Sequence, residues 1–546
     1  MNNNKNEPVI TPPKLTYWWL AFFCVALAVF LSLWRGQDAN WDLRNYHYYN
    51  PYAWVNDRAT IDIAPAQLQS FHSPFADLPY YYMTRAGFSS WLVSAILALP
   101  AAIALFFLAL SSKFFLPRAQ QNIYLVAIII VAATGASGGP LIGTTMSEWH
   151  LVALYLCAVW LILKPFAIDD AFVLTKLRLK NVLAAGFLGG LAVGFKLTAG
   201  AYALGLAVLV VALPTGLFER SRRLAVLGLG GVAGAVISYG PWGYELWTRF
   251  GNPFFPYFND VFLSPWAEPY RFADTRYVAD SLWKFLTTPW LIMKNTVGFV
   301  SELSFRDWRL GISLPAFVCL AWATRSAQKR RMWIALLLMF STIYGLWITF
   351  LGYYRYVSLL EVLAPLAIFA LIANAEILMP LPRIKMFTAM LITLVMMGTT
   401  EWLPWERIKH GAMAVDVNMP SFPEGSMVII ASSEPLAFLT PNLPPEIPVI
   451  SVINNFMNPA WGAKSKLQIL AAQRVAQHTG PLFALVNLSM RNERQYMNVA
   501  ISDMLLAHGL AVDFNNCKPI SSAMSKGTLA ACRVNRVPVV PIKWPL

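Results

Sequence analysis

Eleven apolar runs separated by polar segments constrain this chain more than anything else in it. They read at about 17–34, 88–110, 121–137, 149–164, 182–196, 198–214, 224–241, 309–323, 332–351, 356–376 and 386–403. A helix needs roughly 20 apolar residues to cross the hydrocarbon of a bilayer, and these runs approach that length. Inside a bilayer every backbone polar group must be paired within the chain, which leaves helices as the spanning elements. The expected fold is therefore a polytopic α-helical membrane protein of about 11 spans. Composition agrees. The chain is 57% hydrophobic and 13% charged, whereas a soluble domain carries about 25% charged residues.

A formal charge of +14 raises the question of a nucleic-acid partner. The basic residues instead gather in short loops, the pattern of cytoplasmic segments, so no nucleic acid is expected. These loops hold Lys113 and Arg118; Lys164, Lys176, Arg178 and Lys180; Arg220, Arg222 and Arg223; Arg325, Lys329, Arg330 and Arg331; and Arg383 and Lys385. All fall on the same side as the N-terminus, which is then cytoplasmic. Lys5 and Lys14 precede the first run with no cleavage-site pattern after it, which reads as a retained anchor. An odd number of spans puts the tail outside.

The expected division is a transmembrane module over 1–403 and an extracytoplasmic α/β domain over 404–546, with long external loops at 36–86 and 242–308. Long polar insertions on one face point to chemistry there. The lack of long cytosolic domains or eukaryotic sorting signals favours a bacterial inner membrane with a periplasmic tail. In the tail, 427–431, 448–452 and 482–486 read as buried strands, and 463–478 and 491–508 as helices. Cys24, Cys157 and Cys319 lie in apolar runs and read as packing residues. Cys517 and Cys532 lie in the tail and form the candidate disulfide if it faces an oxidising compartment.

Some chemistries lack their residues. No phosphate-cradling glycine loop, paired CxxC or HExxH is present, and only six His occur. The first external loop is different in kind. It runs Asp38-Ala-Asn-Trp41-Asp42-Leu-Arg44-Asn45-Tyr46-His47, packing acid, base, amide and aromatic groups beside a membrane helix. A carboxylate there can take an acceptor's proton or hold a metal ion. Asp42 suits either role and Asp38 is a second acid. Arg44 and His47 are candidate phosphate ligands. His72, further along the loop, is a further candidate for binding the substrate or lipid phosphate; it and Asp77 are polar groups near the membrane surface that also serve to cap helices. The aromatics suit an interfacial belt.

Elsewhere, Glu148 opens a span from the external side, as an acid–base group, a metal ligand, or a favourable charge at a helix N-terminus. Lys196 sits between two short spans, joined either as a tight hairpin or as a broken helix facing a cavity. Arg355 lies in Tyr353-Tyr354-Arg355-Tyr356, with Glu361 in the following span. A membrane-edge Arg gives a lipid phosphate a bidentate fork. Both basic residues have a plainer role in snorkelling. The second long loop opens Gly240-Pro241-Trp242 and continues through Gly251-Asn252-Pro253, a turn signal; it later carries Glu302, Arg306, Asp307 and Arg309.

The span pattern of 17–403, with Trp41-Asp42 in the first loop, the Gly-Pro-Trp and Gly-Asn-Pro stretch and the late Tyr-Arg-Tyr, resembles the GT-C superfamily of integral-membrane glycosyltransferases. The Trp-Asp followed by Asn-Tyr is also similar to the first-loop motif of oligosaccharyltransferase catalytic subunits, without a counterpart of their acceptor-sequon signature. The resemblance implies a sugar donor linked to polyprenyl phosphate, an external glycan or lipid acceptor, contact with membrane lipids, and inversion at the anomeric carbon. It implies Asp42 as base or metal ligand, and Lys196 and Arg355 against the leaving phosphate. A cofactor is either not required or is a divalent cation, Mg or Mn, held by Asp42 if by any residue. Two other functions fit many spans. A transporter or flippase of lipid-linked sugars should show inverted repeats, and a polysaccharide polymerase or ligase should rely on a large basic late loop.

Overall fold

The computed structural model describes residues 15–539 apart from 119, 167–176, 295–296, 377–378, 432–433, 458–464, 491–493, 496–498 and 501–504. Lys5, Lys14 and Lys176 lie outside the described residues. Eleven helices occupy the eleven apolar runs: α1 (Leu15–Arg35), α2 (Ser90–Ser112), α3 (Gln121–Ala133), α4 (Glu148–Leu163), α5 (Leu179–Phe195), α6 (Gly200–Ala212), α7 (Leu217–Phe250), α8 (Arg309–Ala323), α9 (Ala327–Phe350), α10 (Ser358–Asn374) and α11 (Pro382–Thr399). Five of these segments are long and apolar enough to cross a membrane by length and composition: those of α1, α2, α7, α9 and α10. Phe22, Leu229, Val232, Trp322 and Phe387 are exposed on the helix surfaces. Such apolar cover is costly in water and natural against lipid.

Packing sorts the helices. The α10 segment is 89% buried and forms the centre, whereas α1 is 28% and α7 22% buried, at the edge. Helices α5 and α7 approach most closely, through Gly186, Gly190 and Gly194 on one and Gly230 and Gly234 on the other. A methyl group at Gly190 would collide with the Gly231 carbonyl, and one at Gly230 with that of Leu183. Between lipid-embedded helices the hydrophobic effect is weak, so close backbone contact at small residues supplies the attraction. Helix α7 runs through Pro241 to Phe250, 34 residues in all. At 1.5 Å per residue that is about 51 Å, longer than the hydrocarbon it crosses. Its last turns therefore extend past the span end expected at 241 into the second long loop, and the helix stops at Gly251, where the Gly-Asn-Pro turn signal begins.

Cross-helix contacts test the loop parity. Asn374 Nδ2 donates to the Phe115 carbonyl at 3.2 Å, and Lys113 Nζ lies 4.6 Å from the Tyr17 ring centre. The opposite face joins the segment after α1, the start of α4, the α5–α6 junction and the start of α10. The two sets of helix ends are those that positive charge assigns to opposite sides.

The tail forms a six-stranded mixed sheet from β1 (Val417–Asn418), β2 (Met427–Ala431), β3 (Val449–Ile453), β4 (Leu482–Asn487), β5 (Leu510–Ser522) and β6 (Leu529–Arg536). The strand order is β1-β5-β6-β4-β2-β3. Strand β2 pairs parallel with β3 and β4, and β6 pairs antiparallel with β4 and β5. The apolar runs of β2, β3 and β4 suit strands covered on both faces. Helix α12 (Lys466–Gln477) starts at Ser465, whose side chain accepts from Gln468 N in a capping box. Cys517 and Cys532 stand opposite each other in the β5–β6 ladder and are joined as a disulfide. Of the helix expected over 491–508, residues 491–493, 496–498 and 501–504 lie outside the described residues, and only 505–506 of the rest are helical. Its described residues include a strand pair, Arg494–Gln495 with Val499–Ala500, so tertiary pairing overrides local periodicity.

The tail and the first loop share a core. Gln37–Asp38 pairs with Arg407–Ile408, and Ile63 bridges to Ile450 at the sheet edge. Gly36 makes the first contact possible: its φ is +90°, and a side chain there would strike the Ile408 carbonyl. Asp62 Oδ1 accepts from Val449 N at 2.9 Å, and Arg474 Nη1 donates to the Ile61 carbonyl at 2.8 Å. Tyr48, Tyr52 and Tyr80 of the loop lie in one apolar cluster with Val428, Phe438 and Leu485 of the tail. The loop is thus packed as one element with the tail sheet.

Candidate active site

Asp42 stands just before a π-helical turn, Leu43–His47. Such turns are rare and concentrate at functional sites. The approach to it is braced. Asp38 accepts from Thr145 N at 2.8 Å, Thr145 Oγ1 at 2.9 Å and Asn40 Nδ2 at 2.5 Å. Asn40 Oδ1 in turn accepts from Leu43 N at 2.9 Å. Asp38 therefore ties the first loop to the segment entering α4. Arg44 forms an ion pair with Glu406, a second tie to the start of the tail.

Three more segments bring charge to Asp42. Arg355 Nη1 donates to Asp42 Oδ2 at 2.8 Å and approaches Met146 Sδ at 3.4 Å. Arg355 Nε lies 3.5 Å from Glu148 Oε1, which accepts from Lys196 Nζ at 2.6 Å. The result is an alternating chain, Asp42, Arg355, Glu148, Lys196, with balanced charge. Burial grades it: the Glu148 side chain is 3% exposed, those of Asp42 and Arg355 12%, and that of Lys196 19%. Glu148 is the buried counter-ion, and the other three open toward the site. Buried charges persist only when paired, as these are. Spare donors remain, because Arg355 carries five N–H groups and Lys196 three.

Lys196 occupies its place because α5 ends at Phe195. The chain is extended at Lys196, makes a single 3-10 turn at Leu197–Ala199, and re-enters as α6. The two spans are separate helices joined by a tight connection. Aromatic faces line the cations: Lys196 Nζ lies 5.0 Å from the Tyr356 ring centre, and the Arg355 guanidinium lies over Tyr353, Tyr356 and Trp405.

Burial works against ionisation of Asp42. Arg355, His47 and Lys196 together outweigh it and hold the carboxyl below its ordinary value. His47 Nδ1 lies 2.8 Å from Asp77 Oδ1. Burial disfavours its imidazolium, but the Asp77 carboxylate, aided by Asp42, raises it above the usual histidine range. His72 Nε2 meets Tyr257 OH of the second long loop at 2.8 Å. Burial, with Lys196, His47 and Arg355 nearby, outweighs the pull of Asp42 and pushes His72 down to about 3. Between that value and 6.5 the unfolded chain binds a proton that the native ring refuses. This part of the stability is complete above pH 6.5 and is lost as the pH falls toward 3. The detergent-solubilised protein should melt lower at pH 4.5 than at pH 7, and His72→Gln should flatten that slope. Equal slopes in both proteins would refute the assignment.

Asp42, His47, Glu148, Lys196 and Arg355 thus come together, with His72 at the wall, while Asp38 and Arg44 serve as ties. Asp77, Tyr257, Met146 and Trp405 complete the surroundings. Asp77 was visible in the sequence as an acid of the first loop, but nothing there pairs it with His47. Glu361 accepts from Ser137 N at 3.0 Å and Gly138 N at 2.7 Å, steadying the segment that leads to Met146 and Glu148. Among the described residues no three His, Cys, Asp or Glu side chains converge as metal ligands. Asp42 is instead committed to the Arg355 guanidinium.

No family model matches the chain, and no curated relative matches it. Among solved structures, it is similar to ArnT from Cupriavidus metallidurans bound to undecaprenyl phosphate, with a TM-score of 0.49 and 14% identity over 95% of this chain and 98% of that one. It is also similar to the Archaeoglobus fulgidus oligosaccharyltransferase tethered to an acceptor peptide, with a TM-score of 0.48 and 11% identity over 88% and 70% of the two chains. A third similarity is to the oligosaccharyltransferase AglB of the same archaeon with an inhibitory peptide and a dolichol-phosphate, with a TM-score of 0.45 and 12% identity over 94% and 75%.

Proposed function

We propose that this multi-pass membrane protein is a glycosyltransferase that moves a sugar from a polyprenyl-phosphate carrier to an extracytoplasmic glycan or lipid acceptor, with inversion. The observation that carries this is the union of Asp42, Arg355 and Lys196 at one end of the helix bundle. A base and two phosphate-binding cations lie where a lipid headgroup meets water. The donor phosphate takes spare N–H groups of Arg355 and Lys196. This draws positive charge away from Asp42 and raises its basicity. The acceptor hydroxyl gives its proton to Asp42 as its oxygen bonds to the anomeric carbon. The bond from that carbon to the phosphate oxygen breaks, and the electron pair leaves on the phosphate. Cations fixed where that charge develops lower the barrier without rearranging.

The balanced resting charge also favours this function. A site already neutral takes a phosphate only by exchanging partners, so binding and activation of Asp42 are coupled. A Gram-negative inner membrane, with the N-terminus in the cytoplasm and the tail in the periplasm, is the setting that the basic loops support. The test is direct. The purified chain in lipid nanodiscs receives undecaprenyl-phosphate-linked pentoses or hexoses, labelled in the sugar, with cell-envelope extract as acceptor. Acceptor-dependent release of undecaprenyl phosphate is expected. Movement of intact donor across the bilayer without release would identify a flippase instead.

A further inference from the structure

A second concavity lies outside the charged site. It is a cleft of about 550 Å³ between the first loop, the external turns of α7 and helix α12. That volume lies within the range of about 300–1,000 Å³ typical of small-ligand sites. Its walls include Asn50, Trp54, Trp242, Glu245, Arg249 and Trp266. Trp242 belongs to the Gly-Pro-Trp stretch that the charged site does not use.

The indoles come from three segments of chain. Trp54 meets Trp242 edge to face at 5.8 Å, and Trp242 Nε1 donates to the Phe71 carbonyl at 3.0 Å, which fixes the ring. Trp54 keeps 36% of its surface exposed. Asn50 is 3% exposed, and its Nδ2 donates to the carbonyls of Gln69 and His72 at 2.9 and 3.1 Å. Its Oδ1 has no partner. That oxygen is itself buried, so Asn50 braces the 69–72 wall, and the polar side chains at the cleft are those of Glu245 and Arg249. Arg249 forms an ion pair with Glu245 and approaches Asp57 at 3.5 Å. The wall is otherwise largely apolar, through Phe71, Leu246, Phe250 and Leu467, and the arginine charge is already compensated.

We propose that this cleft binds a neutral oligosaccharide, the non-reacting part of the acceptor; the proposal rests on the glycosyl-transfer function above. Indole faces stack on the C–H faces of pyranose rings. Glu245 and Arg249 pair with hydroxyls. An anion finds its arginine already neutralised, and an acyl chain offers the Glu245–Arg249 pair no hydrogen-bonding partner. The wall formed by 69–72 carries His72 of the charged site, so the cleft lies one chain segment from the chemistry. An acceptor of several sugars docks its distal units here and presents its terminal unit to Asp42.

The test uses the full chain in detergent and saturation-transfer NMR with maltotriose, mannotriose and chitotriose. At least one is expected to bind saturably, with affinity reduced about tenfold or more in Trp54→Ala, in keeping with a stacked anchor. Glu245→Gln is the second variant, and should weaken binding if Trp54→Ala does not fold. The proposal is overturned if none of the three binds, if both folded variants bind as wild type does, or if decanoate displaces the sugar competitively. Saturable, Trp54-dependent binding without transfer from any polyprenyl-phosphate sugar would sustain the cleft and refute the glycosyltransferase.

Discussion

Asp42→Asn should leave a folded protein whose transfer rate is lower by about 10²–10⁴-fold, the usual contribution of a positioned general base. The amide keeps the size of the side chain and still accepts a hydrogen bond from Arg355. It cannot take the acceptor's proton. Donor binding should persist, since the phosphate contacts come from Arg355 and Lys196. The measurements are undecaprenyl phosphate release per turnover, donor affinity, and the melting temperature of the same sample. A rate within about threefold of wild type, with an intact fold, would remove Asp42 from the chemistry. A glycosyltransferase relying on another base would then be required.

Arg355→Lys should have the next largest effect. Lysine keeps the charge but loses the planar fork, so one donor to Asp42 and the approach to Glu148 cannot both be kept. Removal of a preorganised donor at a developing oxyanion lowers turnover by about 10²–10³-fold. A pH signature separates this from simple misfolding. In the wild type, Arg355 is the largest attractive influence on the Asp42 carboxyl, holding it below its ordinary value of 3.8 against burial. Weakening that contact raises the Asp42 pKa in the free enzyme. With Asp42 acting as the proposed base, the ionised carboxylate is the active form, so the acid limb of kcat/KM should move to higher pH. A lower rate with the acid limb unmoved would show that Arg355 acts on the phosphate alone.

The two substitutions involve residues 313 positions apart in the chain. That separation explains how differently fold and site were legible. Each span is a local property, since a bilayer tests one helix at a time for length and apolarity. Even α5 and α6, short and joined at Lys196, could be placed from their runs alone. Strands β2 to β4 were likewise visible as short apolar runs. The β5–β6 hairpin was not, because Leu510–Ser522 alternates weakly and is paired by its neighbours. The partners of Asp38 and Arg44 were equally hidden. Both looked like ligands because they are charged and beside Asp42, yet Thr145 and Glu406 claim them.

From the sequence alone, hydropathy determined where the eleven apolar helices lie, and the alternation of basic loops determined which of their ends share a face. It thereby placed Asp42, Glu148, Lys196 and Arg355 on one face, because spans alternate in direction. Only the tertiary structure decided that these four form one alternating chain while Asp38 and Arg44 become ties. The physical reason is that a buried charge must find a partner wherever packing supplies one. Which partner lies within about 3 Å depends on how α4, α5 and α10 pack, and on a first loop held against the tail sheet. The cleft beside α7 has the same origin, since its three tryptophans line one cavity only when the first loop, α7 and the tail pack together.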